Sequence, residues 1–467
     1  MITITRRLAR QVRVVFARCL TTNSRGPFPA VTFRADSSGL VLKAKSHDAA
    51  IAFHQPGDFP EEQVTVAFDV LKQVEGSKSE EVTLERTDNG IVVKWNDGGI
   101  PQVVQVDSET WNEDFPTIPT EMRANDPGLV SALRDAVATA DSESTRYALN
   151  CVQLQGGQGK IAATDGRQLL IQNGFDFPFA DDLLIPARKV FASRELPTDQ
   201  PVEVGRTDDW VCVRTDPWTI HFKIEKESRF PPVEEHVPNV NSAVTTLQLS
   251  DADGEFLGKA IKRLPSNDNW NRPVTVDLNG DVAIRAQAED QSVPTELLLT
   301  NSSQSGEGIR FNTNRDFLAR AMKLGFRDVR LYGVEAPAFC CDQNRQYLWA
   351  LLGKDGTIQP NENAIRIESP HVDDVSDSPK PNSQRKRPTM SQSKNNQNGK
   401  GRSNGTGNDD RAGVESLIDQ AEAVKASLRE TLTSMSEMIA LLRKHRKQSK
   451  TVQTALASLR QLQSIDA

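Results

Sequence analysis

Cysteine is scarce and scattered in this chain: Cys19, Cys151, Cys212, Cys340 and Cys341 among 467 residues. An odd number at such separations excludes a disulfide framework, and no CxxC pair offers a metal knuckle. Adjacent Cys340 and Cys341 fall on opposite faces of a strand, so buried thiols in a reducing, cytoplasmic setting are expected. No apolar run approaches the ~20 residues that span a bilayer. No signal-peptide core is present either, so no membrane partner is expected. The six histidines (His47, His54, His221, His236, His371 and His445) lack metal-ligand spacing. There is no phosphate-cradling glycine loop, no GxSxG elbow and no cysteine with a motif histidine. These absences leave no catalytic residue, metal or cofactor to name.

Acid is missing from the first 35 residues, where Arg6, Arg7, Arg10, Arg13, Arg18, Arg25 and Arg34 precede Asp36. Such a start can signal an organelle transit peptide. The competing reading is structural. Ile2 and Ile4 alternate with threonines as a short strand. A helix from Arg6 to Leu20 then places Leu8, Val12, Val15 and Cys19 on one face. We take the structural reading.

What is present divides near residue 370. From Pro370 to about Ala412 the chain is Ser, Asn, Gly, Lys and Pro, a solvated linker that cannot offset the entropy of ordering. Helical character returns over 413–467. Of the chain's 56 basic and 63 acidic side chains, 16 and 11 lie from 370 onward, which leaves the body at −12. Affinity of such a body for any polyanion requires a local basic face.

Within the body one rhythm recurs about every 120 residues. A short strand and an amphipathic helix (6–20, 127–140, 253–264) lead into alternating strands such as GLVLKAKS, GKIAATDG and DVAIRAQA. A second helix follows (68–75, 186–195, 313–324), then strands including GIVVKW, WVCVRT and DVRLYGV. Proline-bearing joints, EDFPTIP and SRFPPVEEHVP, separate the units. The expectation is an α+β fold of three units, 1–119, 120–238 and 239–369, each with antiparallel sheets and two helices packed on one side.

The stretch TRYALNCVQLQGGQGKIAATDGRQLL (145–170) resembles the middle domain of the bacterial DNA polymerase III beta subunits, the sliding clamps. Arg146, Tyr147, Leu149 and Asn150 match, as do Ala163, Thr164, Asp165, Gly166 and Leu169. SRGPFP (24–29), DFPTIP, SRFPPVEEHVP, FNTNRDFLARAMKLGFRDVRLYG and EAPAFCCDQNRQYLWALL agree in order and spacing, over about residues 1–355.

The resemblance implies a homodimer ring of three similar clamp domains per subunit, sheets outside and helices lining a hole for double-stranded DNA. It makes the chain a processivity factor and a non-catalytic subunit. Phosphate contacts suit a sliding partner because they carry no sequence information. The implied lining residues are Arg6, Arg10, Arg13 and Arg25 in the first unit and Arg134, Arg188 and Lys189 in the second. In the third they are Lys259, Lys262, Arg263, Arg320 and Lys323. For each, the competing reading is a solvated helix face.

The resemblance also implies a cleft that receives short linear peptides of DNA polymerase and clamp loader. Matched positions are Arg146, Tyr147, Leu149, Thr164, Gly166, Arg167, Leu169, Pro238, Leu348, Trp349, Leu351 and Leu352. Ordinary core and hairpin residues are the alternative. Several positions depart from the family pattern: Ala148 replaces an aromatic, Arg167-Gln168 replaces a His-Arg type pair, and Ala350-Leu351-Leu352 with Gly353 replaces the usual end. An altered pocket is expected.

Residues 413–467 have no counterpart in the family. Leu417, Ala421, Val424, Leu428, Met435, Met438 and Leu442 step by three and four as a coiled-coil seam, interrupted by RKHRKQSK. A clamp-derived scaffold that recruits partners through this tail is the alternative to a replicative clamp. An enzyme with an unseen site is the third reading.

Overall fold

In a computed structural model of the chain, the residues described are 1–20, 28–110, 114–141, 147–266 and 271–371. These residues belong to one compact unit. The linker and the coiled-coil tail expected from the sequence lie outside the described residues from 372 onward, as do Arg25 and Arg146.

The first run of elements is β1 (Ile2–Thr5), α1 (Arg6–Leu20), β2 (Val31–Asp36), β3 (Gly39–Lys45), β4 (Ala49–Pro56) and β5 (Glu62–Val66). It ends with α2 (Asp69–Val74), β6 (Glu81–Thr87), β7 (Gly90–Asp97) and β8 (Ile100–Val106). The second run is β9 (Met122–Asn125), α3 (Gly128–Val137), β10 (Cys151–Gln155), β11 (Lys160–Thr164), β12 (Gln168–Asn173) and β13 (Asp182–Pro186). A 3-10 turn at Lys189–Ala192 follows, then β14 (Val202–Arg206), β15 (Trp210–Thr215) and β16 (Trp218–Lys223). The third run opens with β17 (Thr245–Gln248), α4 (Asp251–Ala260), β18 (Pro273–Asp277), β19 (Ala283–Ala286) and β20 (Thr295–Leu298). It continues through β21 (Ser303–Gly306), β22 (Arg310–Asn314), α5 (Arg315–Lys323), β23 (Asp328–Leu331), β24 (Ala338–Cys341) and β25 (Arg345–Trp349). A last strand, β26 (Ile365–Glu368), comes after it.

Local chemistry accounts for these helices. In α1 the buried residues Leu8, Val12, Val15, Phe16 and Cys19 recur at three- and four-residue steps, and Arg7, Arg10 and Arg18 face solvent. Ser250 caps α4 by accepting from the Asp253 amide at 3.1 Å. Asn314 caps α5 in the same way from Asp316 at 2.8 Å. The helix expected over 186–195 is only the Lys189–Ala192 turn. Pro186 ends β13, and Ser193 returns to extended backbone, so Val190 and Phe191 are buried by one turn without further helix.

Among the described residues the strands form four sheets: β1-β6-β7-β8; β5-β2-β3-β4-β16-β15-β14-β9; β13-β10-β11-β12-β25-β24-β23-β17-β21; and β22-β18-β19-β20-β26. A rule is visible in this order. In the first two runs the first strand pairs with the sixth, and the fifth, second, third and fourth strands form the other half. In the third run β21 is an added edge strand on β17, so β17 pairs with β23 and β22 takes the place of the fifth strand. Between runs the fourth strand of one pairs antiparallel with the last strand of the next, β4 with β16 and β12 with β25. The sheets are therefore continuous across both proline-bearing joints.

Helices of successive runs meet on one side of these sheets. Arg18 of α1 donates to the Ala192 carbonyl at 2.8 Å, and Arg320 of α5 donates to the Asp135 carbonyl and the Thr139 hydroxyl at the end of α3. The main cores lie between helices and sheets, with Phe16, Trp218 and Phe53 under the first joint. Tyr347 and Trp349 lie under the second. The Tyr347 hydroxyl donates across that joint to Gln168 at 2.8 Å.

Candidate nucleic-acid interface and peptide cleft

On the helical side the cations fall into two groups. Arg10, Arg134, Lys189, Lys259, Lys262, Arg263 and Lys323 are exposed. Lys259 lies 3.7 Å from Glu255, Lys262 lies 3.7 Å from Asp316, and Arg134 lies 3.2 Å from Asp135. Pairs this exposed contribute little and leave the cation available. Arg13 is half-buried and tied to Glu75 at 2.5 Å. Arg7, Arg18, Lys72 and Arg194 are also exposed on or beside these helices and were not singled out from the sequence. Helical periodicity alone could have found Arg7 and Arg18.

Three expected lining residues are instead structural. Arg6 is 8% exposed, and its guanidinium meets Glu80, Asp97 and the carbonyls of Val74, Glu75 and Asn96 at 2.9–3.1 Å. It thereby satisfies the carbonyls that the end of α2 leaves open. Arg188 is paired with Asp48 across the first joint. Arg320 is spent on the Asp135 carbonyl (2.6 Å) and Thr139 (2.7 Å). A guanidinium's fan of donors suits it to collecting carbonyls, which is why these arginines hold helices to neighbouring elements and do not face outward.

The opposite face of the β12·β25 joint carries a separate apolar cluster. Strand alternation decides its membership. Leu169 and Ile171 of β12, Leu348 of β25 and Phe339 of β24 face this side, and their neighbours Leu170, Tyr347, Trp349, Ala338 and Cys340 face the helical core. Leu169 sits opposite Leu348, and Leu348 opposite Phe339. The chain around Ala148 and the segment with Phe230, Val233 and Val237 pack over the cluster.

The β11–β12 hairpin forms one rim. Thr164 accepts from the Gly166 amide at 3.0 Å and donates to the Gln168 carbonyl at 2.6 Å, and Asp165 accepts from the amides of Arg167 and Gln168. Gly166 has φ +84°, a conformation that a side chain would strain, and the site of its missing Cβ lies 3.8 Å from Leu149. Arg167 lies over the Phe317 ring at 5.5 Å. Tyr147 is 41% exposed beside the cluster. Among the described residues the buried Tyr332 hydroxyl has no hydrogen-bond partner, and burial raises its pKa.

Thus Leu149, Thr164, Gly166, Arg167, Leu169 and Leu348 are brought together, with Tyr147 and Pro238 at the margin. Three expected cleft residues are elsewhere. Trp349 is 1% exposed in the helical core, where its indole donates to Thr313 at 2.9 Å. Leu351 packs against that same core. Leu352 lines a different cavity with Asn312 and Ile358. Four residues of the cluster were not among the expected ones: Phe230 and Val233 lie within the quoted joint, and alternation through EAPAFCC would have pointed to Phe339 and Cys341.

The first joint has its own outer-face cavity of about 630 Å³, lined by Arg34, Lys43, Ala52, Phe115, Ile118 and His221 among others.

No family model matches the chain, and no curated protein matches it. Solved structures do. The beta subunit of Streptococcus pyogenes DNA polymerase superposes with a TM-score of 0.61 at 14% identity, over 75% of this chain and 99% of that one. The DNA polymerase III subunit beta of Pseudomonas aeruginosa gives 0.59 at 17%, over 75% and 99%. The Thermotoga maritima beta subunit gives 0.60 at 15%, over 75% and 98%.

The chain has the sliding-clamp fold.

At these identities the likeness is one of backbone, and nearly the whole of each clamp is matched. The α+β reading, with antiparallel sheets and few helices, agrees with the sequence-based expectation. No helix among the described residues is long and apolar enough to cross a membrane. No cluster of metal-ligating side chains occurs among the described residues.

Proposed function

We propose that this chain is a DNA sliding clamp: two copies close head to tail around duplex DNA and hold a DNA polymerase to it. The observation that carries this reading is the joining rule. The fourth strand of one run pairs with the last strand of the next, which leaves β8 at one end of the body and the β20 half-sheet at the other. Those ends are the two halves of a third joint, and a second copy supplies what each lacks. The units are 1–119, 120–238 and 239–369.

DNA is held by Arg10, Arg134, Lys189, Lys259, Lys262, Arg263 and Lys323, with Arg7, Arg18, Lys72 and Arg194 added from their exposure. Attraction to phosphates is strongly salt-dependent and tolerates sliding. The outer-face cluster of the second joint receives extended peptides from the polymerase and the clamp loader. Its apolar floor supplies the contact area.

Retention on DNA tests the ring. Loaded with its loader, the full chain should stay on nicked circular plasmid and escape once the plasmid is linearised. Equal loss from both forms would sink the reading. Replacing Arg10, Lys189 and Lys323 together by alanine should flatten the salt dependence of DNA binding, the log–log slope falling by about 0.9 for each phosphate no longer neutralised.

A further inference from the structure

The joining rule reserves a place beside β20, and that place is already taken. β20 is the fourth strand of its run, the counterpart of β4 and β12, which accept β16 and β25 in antiparallel pairing. On β20 lies β26 of the same chain, in parallel, with Thr295 opposite Ile365 and Leu298 opposite Glu368.

β26 is a poor occupant by the standard of the other two joints. β16 and β25 each bury most of their residues, whereas all four residues of β26 are exposed, Ile365 by 52% and Ile367 by 42%. What holds it is polar. Arg366 meets Glu296 at 2.9 Å, and the Ser369 hydroxyl accepts from the Thr300 amide at 2.9 Å. Glu296 keeps a partner without it, since Arg285 lies 2.5 Å away on the other side.

The other free end is β8, Ile100–Val106, an edge strand with no charged residue. Its Ile100 and Val103 are 64% and 67% exposed. Apart from Pro101 it lacks the charges and bulges that keep edges from pairing. Such an edge suits pairing with another strand of the same fold.

We propose that β26 is a displaceable stand-in for the β8 strand of a second copy. It caps β20 in the single chain and must leave before two copies join. This rests on the ring reading above. Closure then becomes an exchange: an exposed four-residue ladder and its two polar anchors are given up for a longer, apolar strand. Apparent dimer affinity is lowered by the fraction of chains in which β26 is docked.

The test uses the full chain in three forms, with dimerisation followed by sedimentation and light scattering across concentration. A Leu298→Cys/Glu368→Cys pair, oxidised, locks β26 onto β20. It should weaken dimerisation at least tenfold, and reductant should restore it, so the reduced form serves as its own folding control. R366A/S369A should loosen β26 and tighten dimerisation by about tenfold, or 1.4 kcal/mol. I100K/V103K on β8 should abolish the dimer whatever β26 does. A locked chain that dimerises like the unmodified one would overturn the stand-in and leave the ring intact, with β8 then adding outside β26. Absence of any dimer in the unmodified and loosened chains would overturn both.

Discussion

The two joints of the body share one backbone scheme and differ in what they present outward. Both are antiparallel ladders of five residue pairs, β4 with β16 and β12 with β25. Both are backed on the helical side by large aromatics, Trp218 at the first and Tyr347 with Trp349 at the second. On the outer face the first joint carries Lys43, with its Nζ 5.0 Å from the Phe115 ring centre, and His221, edge-on to the same ring at 5.8 Å. The second carries Leu169, Ile171, Leu348 and Phe339 beneath Phe230 and Val233. The difference shows that pairing rests on the inward residues and leaves the outward ones free to specialise.

The largest expected effect breaks each joint from within. Trp218→Ala and Trp349→Ala should each cost about 3–5 kcal/mol in urea unfolding. Their double variant should be additive within about 0.5 kcal/mol if the joints are independent. A larger coupling would mean that they fold as one element.

Next comes Leu348→Ala. It should cost about 2–3 kcal/mol and also remove peptide binding, measured by fluorescence anisotropy with a labelled clamp-binding peptide. Peptide affinity that survives would move the cleft elsewhere.

A pH effect should separate the joints further. Burial, and then the charge of Lys43, hold the His221 pKa at about 4, below its ordinary 6.5. Between those values the unfolded chain takes up a proton that the folded chain refuses. The stability contributed by neutral His221 is therefore complete above pH 6.5 and falls as pH drops toward 4, by at most about 1.4 kcal/mol per pH unit. His221→Gln should flatten the urea midpoint over that window, and an unchanged slope would show that His221 does not report on the first joint.

Smallest of all, Lys43→Ala should change stability by no more than about 0.5 kcal/mol. A calorimetric loss well above that would show the cation to be structural.

Much of this was legible in the sequence because periodicity and burial agree. The α1 face of Leu8, Val12, Val15 and Cys19 is buried as expected, and GLVLKAKS, GKIAATDG and WVCVRT became strands. Side chains whose role depends on distant neighbours were not legible. Nothing local distinguishes Arg6, held by residues 68–91 positions away, from exposed Arg10. Carrying both Leu348 and Trp349 over from one matched motif overrode the alternation that puts adjacent strand residues on opposite faces, Trp349 in the helical core and Leu348 in the outer cluster. β26 escaped notice because four residues carry little pattern, and their partner lies 70 residues back in a parallel pairing.

The cysteines, all free, carry a practical consequence. Burial pushes the thiols of Cys151 and Cys212 up to about 12 and raises those of Cys19 and Cys340 as well. The thiolate is the reactive species, so burial and a raised pKa together slow these four toward alkylating reagents in the folded protein. Only Cys341, partly exposed on β24 beside the outer-face cluster, is open to such reagents. Thiol alkylation of the folded body is therefore directed to one address, and a maleimide placed there would report on the surroundings of the outer-face cluster.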